Sequence, residues 1–439
     1  MDADSVISRE HHSEPASVGD SQGIPSEVEA TSEKPHSEPA NAAASNAPPL
    51  TASEDPPEEI RVVDKWDDFE LTPDLLRGIY CNGFETPSSI QQKAILPLIQ
   101  GRDIIGQAQS GSGKTGAFTV GALQRLDLAS QSTQIIVLAP THELVKQIES
   151  VFAMIGSKLA GLVVRTMIGG TSVADDTREI RRRPPHVVIG CTGRVMDMLQ
   201  RRAIDSSKVK MIVMDEADEM LSDGFKEHVY QIFQFLPESV QVALFSATMS
   251  EEVLALTANF MRNPVRITMK AEELTLDCIQ QFYIAMNTDA DKFDTVKDLF
   301  SNLIVSQCII YVNSVARVAD LHDALVKDGF SVGCIHSSMR KDEREHSLAE
   351  FRKGAFRVLI SSNITARGID VQQVSTVINF DVPRDVNTYL HRIGRGGRWG
   401  RKGLAINFVT RGDVANLKYI EKHFSIVIAE FPKSFNFVM

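Results

Sequence analysis

Short apolar runs rich in β-branched residues alternate with longer stretches of helical period from residue 66 onward. Such alternation is typical of βαβ units, which build a parallel sheet covered by helices. One series of runs predicts strands at 103–107, 135–139, 163–168, 186–190, 210–214 and 241–245. A second series predicts strands at 281–286, 308–312, 331–335, 357–361, 375–380 and 404–409. The pattern therefore predicts an α/β protein with two domains in tandem.

The boundaries of these domains follow from two segments without a core period. Residues 262–277 lack such a period and contain an Asn-Pro dipeptide, which favours a turn. We place the linker at 266–277, so that one domain spans 61–265 and the other 278–439. Residues 1–60 are rich in Ser, Glu, Pro and Ala and poor in aromatics. A segment of that composition cannot bury enough apolar area to offset its ordering entropy, so we predict a disordered tail.

The charge of the chain is concentrated in this tail. The net charge is −11, and residues 1–60 hold thirteen acidic and two basic residues. Removing them from the totals of 57 and 46 leaves 44 of each sign, so the remainder of the chain is neutral. A broad basic face for nucleic acid is therefore not expected, and any contact with a phosphate backbone must be local.

Cysteine spacing and hydropathy indicate the cellular compartment in which the protein is found. The five cysteines form no CxxC pair, which provides neither a metal spacing nor a disulfide framework. No apolar run approaches the roughly 20 residues that span a bilayer, and the start lacks a secretory pattern. We expect a soluble intracellular protein without a membrane partner.

A phosphate-binding loop is predicted at 108–115, which read AQSGSGKT between a strand and a helical stretch. The glycines let backbone N–H groups curl around phosphate, while Lys114 reaches the terminal phosphates and Thr115 binds Mg²⁺. Ala108 stands where the strict pattern has Gly. A Gly-Ser turn with a solvated lysine is the alternative, which the strand–loop–helix placement disfavours. The predicted nucleotide contacts here are Ser110, Gly111, Ser112, Gly113, Lys114 and Thr115.

Acidic and hydroxyl residues follow two further strands. The strand at 210–214 runs into Asp215-Glu216-Ala217-Asp218, at the sheet edge where parallel folds bind ligands. Asp215 can help to hold Mg²⁺ and Glu216 can activate the attacking water. By themselves these residues would be an acidic helix start, but the phosphate loop upstream favours catalysis. Ser246-Ala247-Thr248 follows another strand and can relay a hydrogen bond towards the second domain.

An arginine-rich segment in the second domain reads HRIGRGGR at 391–398, 276 positions after Thr115. Arginine's planar guanidinium suits phosphate oxygens, and one inserted arginine contributes roughly 10³ to 10⁵ in rate to phosphoryl transfer. A solvated or RNA-facing basic turn is the alternative. With the phosphate loop, the segment predicts a nucleotide site divided between two domains, which opening and closing can switch.

Together these motifs resemble those of the DEAD-box RNA helicases. AQSGSGKT, PTHEL (140–144), GGTS (169–172), DEAD, SAT, ARGID (366–370) and HRIGRGGR occur in this order, and the resemblance covers 66–439. It implies two tandem RecA-like parallel-sheet domains and an RNA-dependent ATPase that uses ATP and Mg²⁺. LLRGIY (75–80), DVQQVS (370–375) and GRGGRWGRKGLAINFV (394–409) resemble the eukaryotic initiation factor 4A subgroup.

The resemblance also implies roles for single residues. Gln91, in GFETPSSIQ (83–91), would recognise the adenine edge, supported by Trp66 upstream, although a core aromatic is equally compatible with that position. Arg395 and Arg398 would be arginine fingers, and His391 and Arg392 would couple the domains. Asn363 and Gly368 would contact the nucleotide. The implied RNA contacts, mainly to the sugar-phosphate backbone, are Pro140, Thr141, His142, Gly169, Gly170, Thr192, Gly193, Arg194 and the neighbourhood of Thr365.

Three departures from the family pattern bear on RNA. His142 replaces an arginine, Cys191-Thr192 replaces a hydroxyl residue and a proline, and Ser362-Asn363 replaces Thr-Asp. The favoured function is unwinding of short duplexes in translation initiation, by a monomer with a scaffold partner of the initiation factor 4G type. The expected location is the cytoplasm, with the nucleus as the alternative. The alternatives are an ATP-gated RNA clamp of the splicing-associated type and a protein-binding module whose acidic tail recruits partners.

Overall fold

The computed structural model describes residues 60–109, 111–222, 224–249, 251–268, 279–302, 307–366, 374–396 and 402–432. The predicted disordered tail lies outside the described residues except for Ile60, as does most of the predicted linker. Two seven-stranded parallel sheets, one in each half of residues 60–432, form the framework of the fold. In this part of the chain, no helix combines the length and apolar character needed to cross a membrane.

The central strands of the first sheet are almost entirely buried, whereas its two edge strands are partly exposed. Its strands are β1 (Ile104–Gln107), β2 (Ile135–Leu138), β3 (Val164–Met167), β4 (Val187–Gly190), β5 (Met211–Asp215), β6 (Gln241–Ser246) and β7 (Val265–Thr268). They pair in parallel in the order β3-β4-β2-β5-β6-β1-β7. Alternate residues of β2 face opposite cores, with Ile135 and Val137 on one side and Ile136 and Leu138 on the other. A strand buried on both faces is apolar at every position, which is why these runs are visible in the sequence.

Helices cover both faces of this sheet. They are α1 (Pro73–Cys81), α2 (Ser89–Ile99), α3 (Lys114–Gln124), α4 (His142–Ile155), α5 (Val173–Arg182), α6 (Thr192–Gln200), α7 (Ala217–Met220), α8 (Lys226–Gln234) and α9 (Glu251–Thr257). Short 3-10 helices occupy Trp66–Phe69 and Gly156–Lys158. Hydroxyl residues begin two of the helices that matter below, since Thr141 caps α4 and Ser172 caps α5 by accepting a backbone N–H bond.

The second sheet repeats the topology of the first. Its strands are β8 (Ile279–Ala285), β9 (Gln307–Tyr311), β10 (Val332–Ile335), β11 (Val358–Ser361), β12 (Val374–Asn379), β13 (Gly403–Val409) and β14 (Ala429–Glu430). Their order is β10-β11-β9-β12-β13-β8-β14, which is the first order shifted by seven strands. The helices are α10 (Asp291–Asn302), α11 (Val315–Lys327), α12 (Lys341–Lys353), α13 (Val386–Ile393) and α14 (Val414–Phe424), with a 3-10 helix at Asn363–Thr365. We call the two halves the first and second lobe.

All twelve predicted strands are confirmed, each within two residues at either end. The sequence pattern missed β7 and β14, which are the edge strands beside β1 and β8. Edge strands bury less of each face, so their apolar pattern is weaker. Because β7 ends at Thr268, the first sheet extends beyond 265, and the first three residues of the predicted linker are strand rather than connection.

Candidate nucleotide and RNA site

The phosphate loop joins the end of β1 to the start of α3. Gly111 and Gly113 have φ values of 83° and 100°, a left-handed conformation that favours glycine. Lys114 is the first residue of α3, is buried, and donates from Nζ to the carbonyl oxygen of Ala108 at 2.6 Å. The loop therefore curls around its own lysine and ends at the N-terminus of α3.

The side-chain amide of Gln91 fixes this loop against α2. Its Oε1 accepts from the backbone N–H of Ser88 at 2.8 Å, and its Nε2 donates to the carbonyl of Gly113 at 3.2 Å. A Cβ at Gly113 would lie 2.6 Å from Ser88 Oγ and 2.8 Å from Gln91 Nε2. The close approach explains why position 113 must be glycine, and it couples the loop to the segment that contains Gln91.

A cavity of about 670 Å³ opens above the loop. This volume is in the range of small-molecule sites. It brings together nine of the predicted site residues: Gln91, Gly111, Ser112, Gly113, Lys114, Thr115, Asp215, Glu216 and Arg395. Three predicted residues, Ser110, Gly368 and Arg398, lie outside the described residues.

The cavity has an apolar wall that the sequence did not indicate, and of the two positions open to Trp66 the structure has the core one. The wall consists of Phe84 with Leu144, Val151 and Met154, which lie at helical spacing on one face of α4. Trp66 is 1% exposed, packs against Phe69 with ring centroids 5.9 Å apart, and does not line the cavity. Trp66 is thus a core residue here, and Phe84 is the aromatic residue that faces the cavity. The signal in the sequence that could have identified Phe84 is its place in GFETPSSIQ (83–91), the segment that also contains Gln91.

Two buried carboxyl groups lie at the carboxyl end of β5. Asp215 and Glu216 are each 3% exposed, and the backbone N–H of Glu216 donates to Asp215 Oδ1 at 3.1 Å. Burial and the neighbouring Glu216 raise the pKa of Asp215 to about 7. Burial opposes ionisation of Glu216 too, but Lys114 and His391 outweigh it and hold the pKa of Glu216 below its ordinary value. Glu216 is therefore the carboxyl group that the surrounding charges keep ionised.

Asp218 connects the two lobes through hydrogen bonds. Its Oδ1 accepts from Ser246 Oγ at 2.6 Å, and its Oδ2 accepts from Thr248 Oγ1 at 2.9 Å. His391 Nε2, on α13 of the second lobe, lies 3.1 Å from the same Oδ2. The Asp218 carboxylate thus connects the hydroxyls of Ser246 and Thr248 with His391 of the second lobe. This contact is consistent with the predicted role of His391 in coupling the lobes.

The arginines of the second lobe divide into two kinds. Arg395 is 2% exposed, lines the cavity, and donates from Nε to the carbonyl of His391 at 3.1 Å. Arg392 is fully buried and does not line the cavity. Its guanidinium donates to Asn363, Asn379 and Asn313 side-chain oxygens and to the Asp381 carbonyl. Asn363, predicted to contact nucleotide, is instead an acceptor for Arg392 and does not line the cavity.

The predicted RNA residues cluster at the carboxyl ends of β2, β3 and β4. Pro140 and Thr141 precede α4, Gly169 and Gly170 precede α5, and Thr192 begins α6. Thr192 is 1% exposed and its hydroxyl has no hydrogen-bond partner. Gly193 follows it in α6, where a Cβ would lie 3.9 Å from His228.

Two of the predicted RNA residues are engaged within the protein. Arg194 donates to the Thr171 hydroxyl at 2.6 Å and forms an ion pair with Asp176, so its charge is already balanced. Thr365 is fully buried, and its hydroxyl donates to Ser361 Oγ at 2.6 Å. This geometry contradicts a direct RNA contact by the Thr365 side chain, because a core hydrogen bond uses the hydroxyl.

One ion pair joins the two lobes beside these predicted RNA residues. Glu143 Oε1 on α4 lies 3.0 Å from Arg344 Nη1 on α12, and both side chains are buried. Burial raises the pKa of Glu143 against the opposing effects of its own backbone N–H and of Arg344. Nearby, burial raises the pKa of the Cys191 thiol to about 12, which keeps it protonated and unreactive.

Comparison with known proteins identifies relatives across nearly all of the described chain. The DEAD/DEAH box helicase family model matches residues 88–256, and the helicase conserved C-terminal domain matches 291–400. The chain is 52% identical to "ATP-dependent RNA helicase eIF4A" of Scheffersomyces stipitis over 371 residues, which are 84% of this chain and 93% of the relative. It is 50% identical to "Eukaryotic initiation factor 4A" of Caenorhabditis elegans over 374 residues, 85% and 92% of the two chains.

Solved structures give the same picture. S. cerevisiae Dbp5 bound to RNA and ADP BeF3 is similar with a TM-score of 0.78 and 34% identity, over 84% of this chain and 95% of that one. Mss116p bound to single-stranded RNA and AMP-PNP is similar with a TM-score of 0.77 and 25% identity, over 84% and 79% of the two chains. Both were solved with a nucleotide analogue and RNA together.

Proposed function

The chain belongs to the DEAD-box helicase family, and from this premise we propose how its residues bind ATP and RNA. It is an RNA-dependent ATPase and ATP-dependent RNA helicase of the initiation factor 4A type, which closes two lobes on nucleotide and RNA. The observation that carries this function is the single cavity that the phosphate loop, the buried carboxyl groups of β5 and Arg395 share. Residues of both lobes line it, so hydrolysis requires them to be together.

In the proposed nucleotide complex, the triphosphate lies along the loop. The backbone N–H groups of Gly111, Ser112 and Gly113 and the Lys114 ammonium bind the β- and γ-phosphates. The base lies against Phe84 and the apolar wall of α4. Gln91 holds the loop through Gly113, and its second amide hydrogen remains available to the base edge.

The residues present fit a magnesium ion. Thr115 and Asp215 both line the cavity, and Asp215 is a buried carboxyl whose pKa is raised by burial and by the neighbouring Glu216. An added divalent cation would reverse that shift, because it favours the ionised form. Thr115 and Asp215 are the residues that would hold this ion. When bound, Mg²⁺ neutralises charge that develops on the transferring phosphoryl group.

Glu216 and Arg395 act on the reaction itself. The ionised Glu216 takes a proton from the water that attacks the γ-phosphorus, while the bond to the β-phosphate oxygen breaks and ADP leaves with the electron pair. Arg395 donates to the γ-phosphate oxygens and stabilises their charge. His391 contacts Asp218, so that the position of the second lobe is coupled to the carboxyl residues that follow β5.

We propose that RNA lies across the carboxyl ends of β2, β3 and β4, where Thr141, Gly169 and Gly170 are accessible to it. Backbone and glycine contacts bind the sugar-phosphate chain without reading bases. Such local contacts are consistent with the neutral charge of residues 61–439, which carry no surplus of basic residues. The Glu143–Arg344 pair places α12 of the second lobe at the same edge.

The cellular setting follows from the same relatives. We propose that the protein acts as a monomer in cytoplasmic translation initiation, with a scaffold protein of the initiation factor 4G type that stabilises closure. Depletion should reduce polysomes on messages with structured leaders. Unchanged polysomes together with altered splicing would instead favour the RNA clamp.

The direct test is ATP hydrolysis with and without RNA, in wild type and Glu216→Gln. RNA should stimulate the wild type, whereas Glu216→Gln should lose about 10² to 10⁴ in turnover and keep ATP binding. Glu219→Gln, three residues along the same segment, is the matched control and should hydrolyse ATP normally. Normal turnover in Glu216→Gln would overturn the assignment. RNA stimulation without separation of a short duplex would identify a clamp rather than a helicase.

A further inference from the structure

His142 is the first residue of α4 and lies beside the glycine turn that follows β3. A Cβ built on Gly169 would meet its Nε2 at 3.5 Å, which is ordinary contact distance. The ring is half-buried, and its Nδ1 is buried without a hydrogen-bond partner. A buried polar nitrogen without a partner is costly unless a ligand, water or ion completes it. His142 is therefore a titratable group of this edge whose hydrogen bonding is incomplete.

Cations surround this ring from two other helices. Arg344 and Lys341 face it from α12 and Arg194 from α6, while Glu345 of α12 has the opposite effect. Its neighbour Glu143 is engaged with Arg344. Burial first, and then these cations, hold the pKa of His142 below its ordinary value. The ring is neutral at neutral pH before any anion approaches.

We propose that His142 is a proton-linked phosphate contact on the RNA path, so that this protein binds RNA more tightly as the pH falls from 8 to 6. The inference rests on the proposed RNA path and adds to it a dependence on pH. An RNA phosphate beside Gly169 would bring a negative charge to the His142 ring, which lies next to that glycine. The charged ring would then donate from both nitrogens instead of one.

The direction of the effect follows from linkage. A bound phosphate raises the pKa of the ring relative to the free protein, so binding takes up a proton at any pH between the two values. RNA affinity is highest below the pKa of the free ring and falls as the pH rises through the pKa of the bound ring. The full change is about tenfold for each pKa unit that phosphate adds. An arginine at this position would be charged throughout and would give no such dependence.

The test is the Kd for a single-stranded oligouridylate at pH 6 to 8, the range in which histidine titrates, with a non-hydrolysable ATP analogue and constant ionic strength. Wild type should bind about tenfold more tightly at pH 6 than at pH 8. His142→Arg should bind tightly at both values, and His142→Gln weakly at both. His228→Gln removes a second histidine, which lies near Gly193, and should keep the wild-type dependence.

The outcomes separate this inference from the function on which it rests. If His142→Gln keeps the pH dependence, or if His228→Gln removes it instead, the RNA path stands and the role of His142 is overturned. If neither wild type nor His142→Arg binds RNA at any pH while ATP analogue still binds, the RNA path fails and the inference fails with it. Binding of the ATP analogue to each variant, measured without RNA, reports that the nucleotide cavity is intact.

Discussion

Arg392 is a buried cation whose hydrogen-bond acceptors are all neutral, and this arrangement predicts that Asn363→Asp stabilises the second lobe. Five hydrogen bonds satisfy the guanidinium, two of them to Asn363 Oδ1 at 2.9 and 2.6 Å. The carboxylate of Asp381 is instead shared by Lys292 and Arg317. Burial lowers the pKa of Arg392 from 12.5 to about 10. That fall corresponds to roughly 3 kcal/mol against the charged form.

The size of the gain follows from the two bonds to Asn363. Arg392 can only donate, so Oδ1 must face it, and Nδ2 of Asn363 has no partner among the described residues. A carboxylate therefore replaces the amide without loss of a hydrogen bond. The donor of both bonds is already ionised, so the carboxylate adds a charge–charge attraction, which for a buried arginine and an exposed partner contributes about 1–2 kcal/mol. The midpoint of the second lobe should rise by roughly 2–6 °C.

Asn379→Asp is the matched control. Asn379 Oδ1 also accepts from Arg392, at 3.2 Å, but its Nδ2 donates to Asn407 Oδ1 at 2.8 Å. A carboxylate there would face that oxygen without a hydrogen between them, so a smaller gain or a loss is expected. Hydrogen exchange and thermal unfolding of the full chain measure both variants.

The pH dependence gives a second check on the same variant. Arg392 should depress the pKa of the introduced carboxyl, so the added stability should be complete above about pH 5 and lost as the pH falls through that lowered pKa. A destabilised Asn363→Asp would refute the reasoning. Equal stabilisation by Asn379→Asp would show that long-range charge, rather than the hydrogen bonds, sets the effect.

Two further predictions concern the nucleotide cavity. Gly113→Ala should lower ATP affinity at least about tenfold, because the added methyl overlaps Ser88 and Gln91 and the positive φ adds about 1–3 kcal/mol of strain. Nucleotide titration measures the affinity, and an unfolding curve of the variant is the control. Wild-type affinity would contradict the prediction. Phe84→Ala should weaken ATP binding with little change in stability, whereas Trp66→Ala should cost about 3–5 kcal/mol of folding free energy. Weakened ATP binding in a stably folded Trp66→Ala protein would restore Trp66 to the site.

The sequence by itself determined the features that depend on a few consecutive residues. A strand buried on both faces must be apolar along its length, so the ten inner strands were predictable, as were the phosphate loop and the carboxyl pair after β5. Their chemistry requires glycine, lysine and carboxylate at fixed spacing on one turn, and the cavity contains them. The resemblance of the ordered motifs then indicated a family that the relatives confirm.

Only the tertiary structure decided contacts between residues far apart in the chain. His391 meets Asp218 across 173 positions, Arg344 meets Glu143, and Arg392 is enclosed by three asparagines from separate segments. Whether Trp66 or Phe84 faces the nucleotide depends on how the segment before α1 packs. The order of the strands and the closure of the two lobes set these distances. Neither can be read from the hydrophobic pattern of the sequence, because the order in which strands assemble does not alter which of their positions are buried.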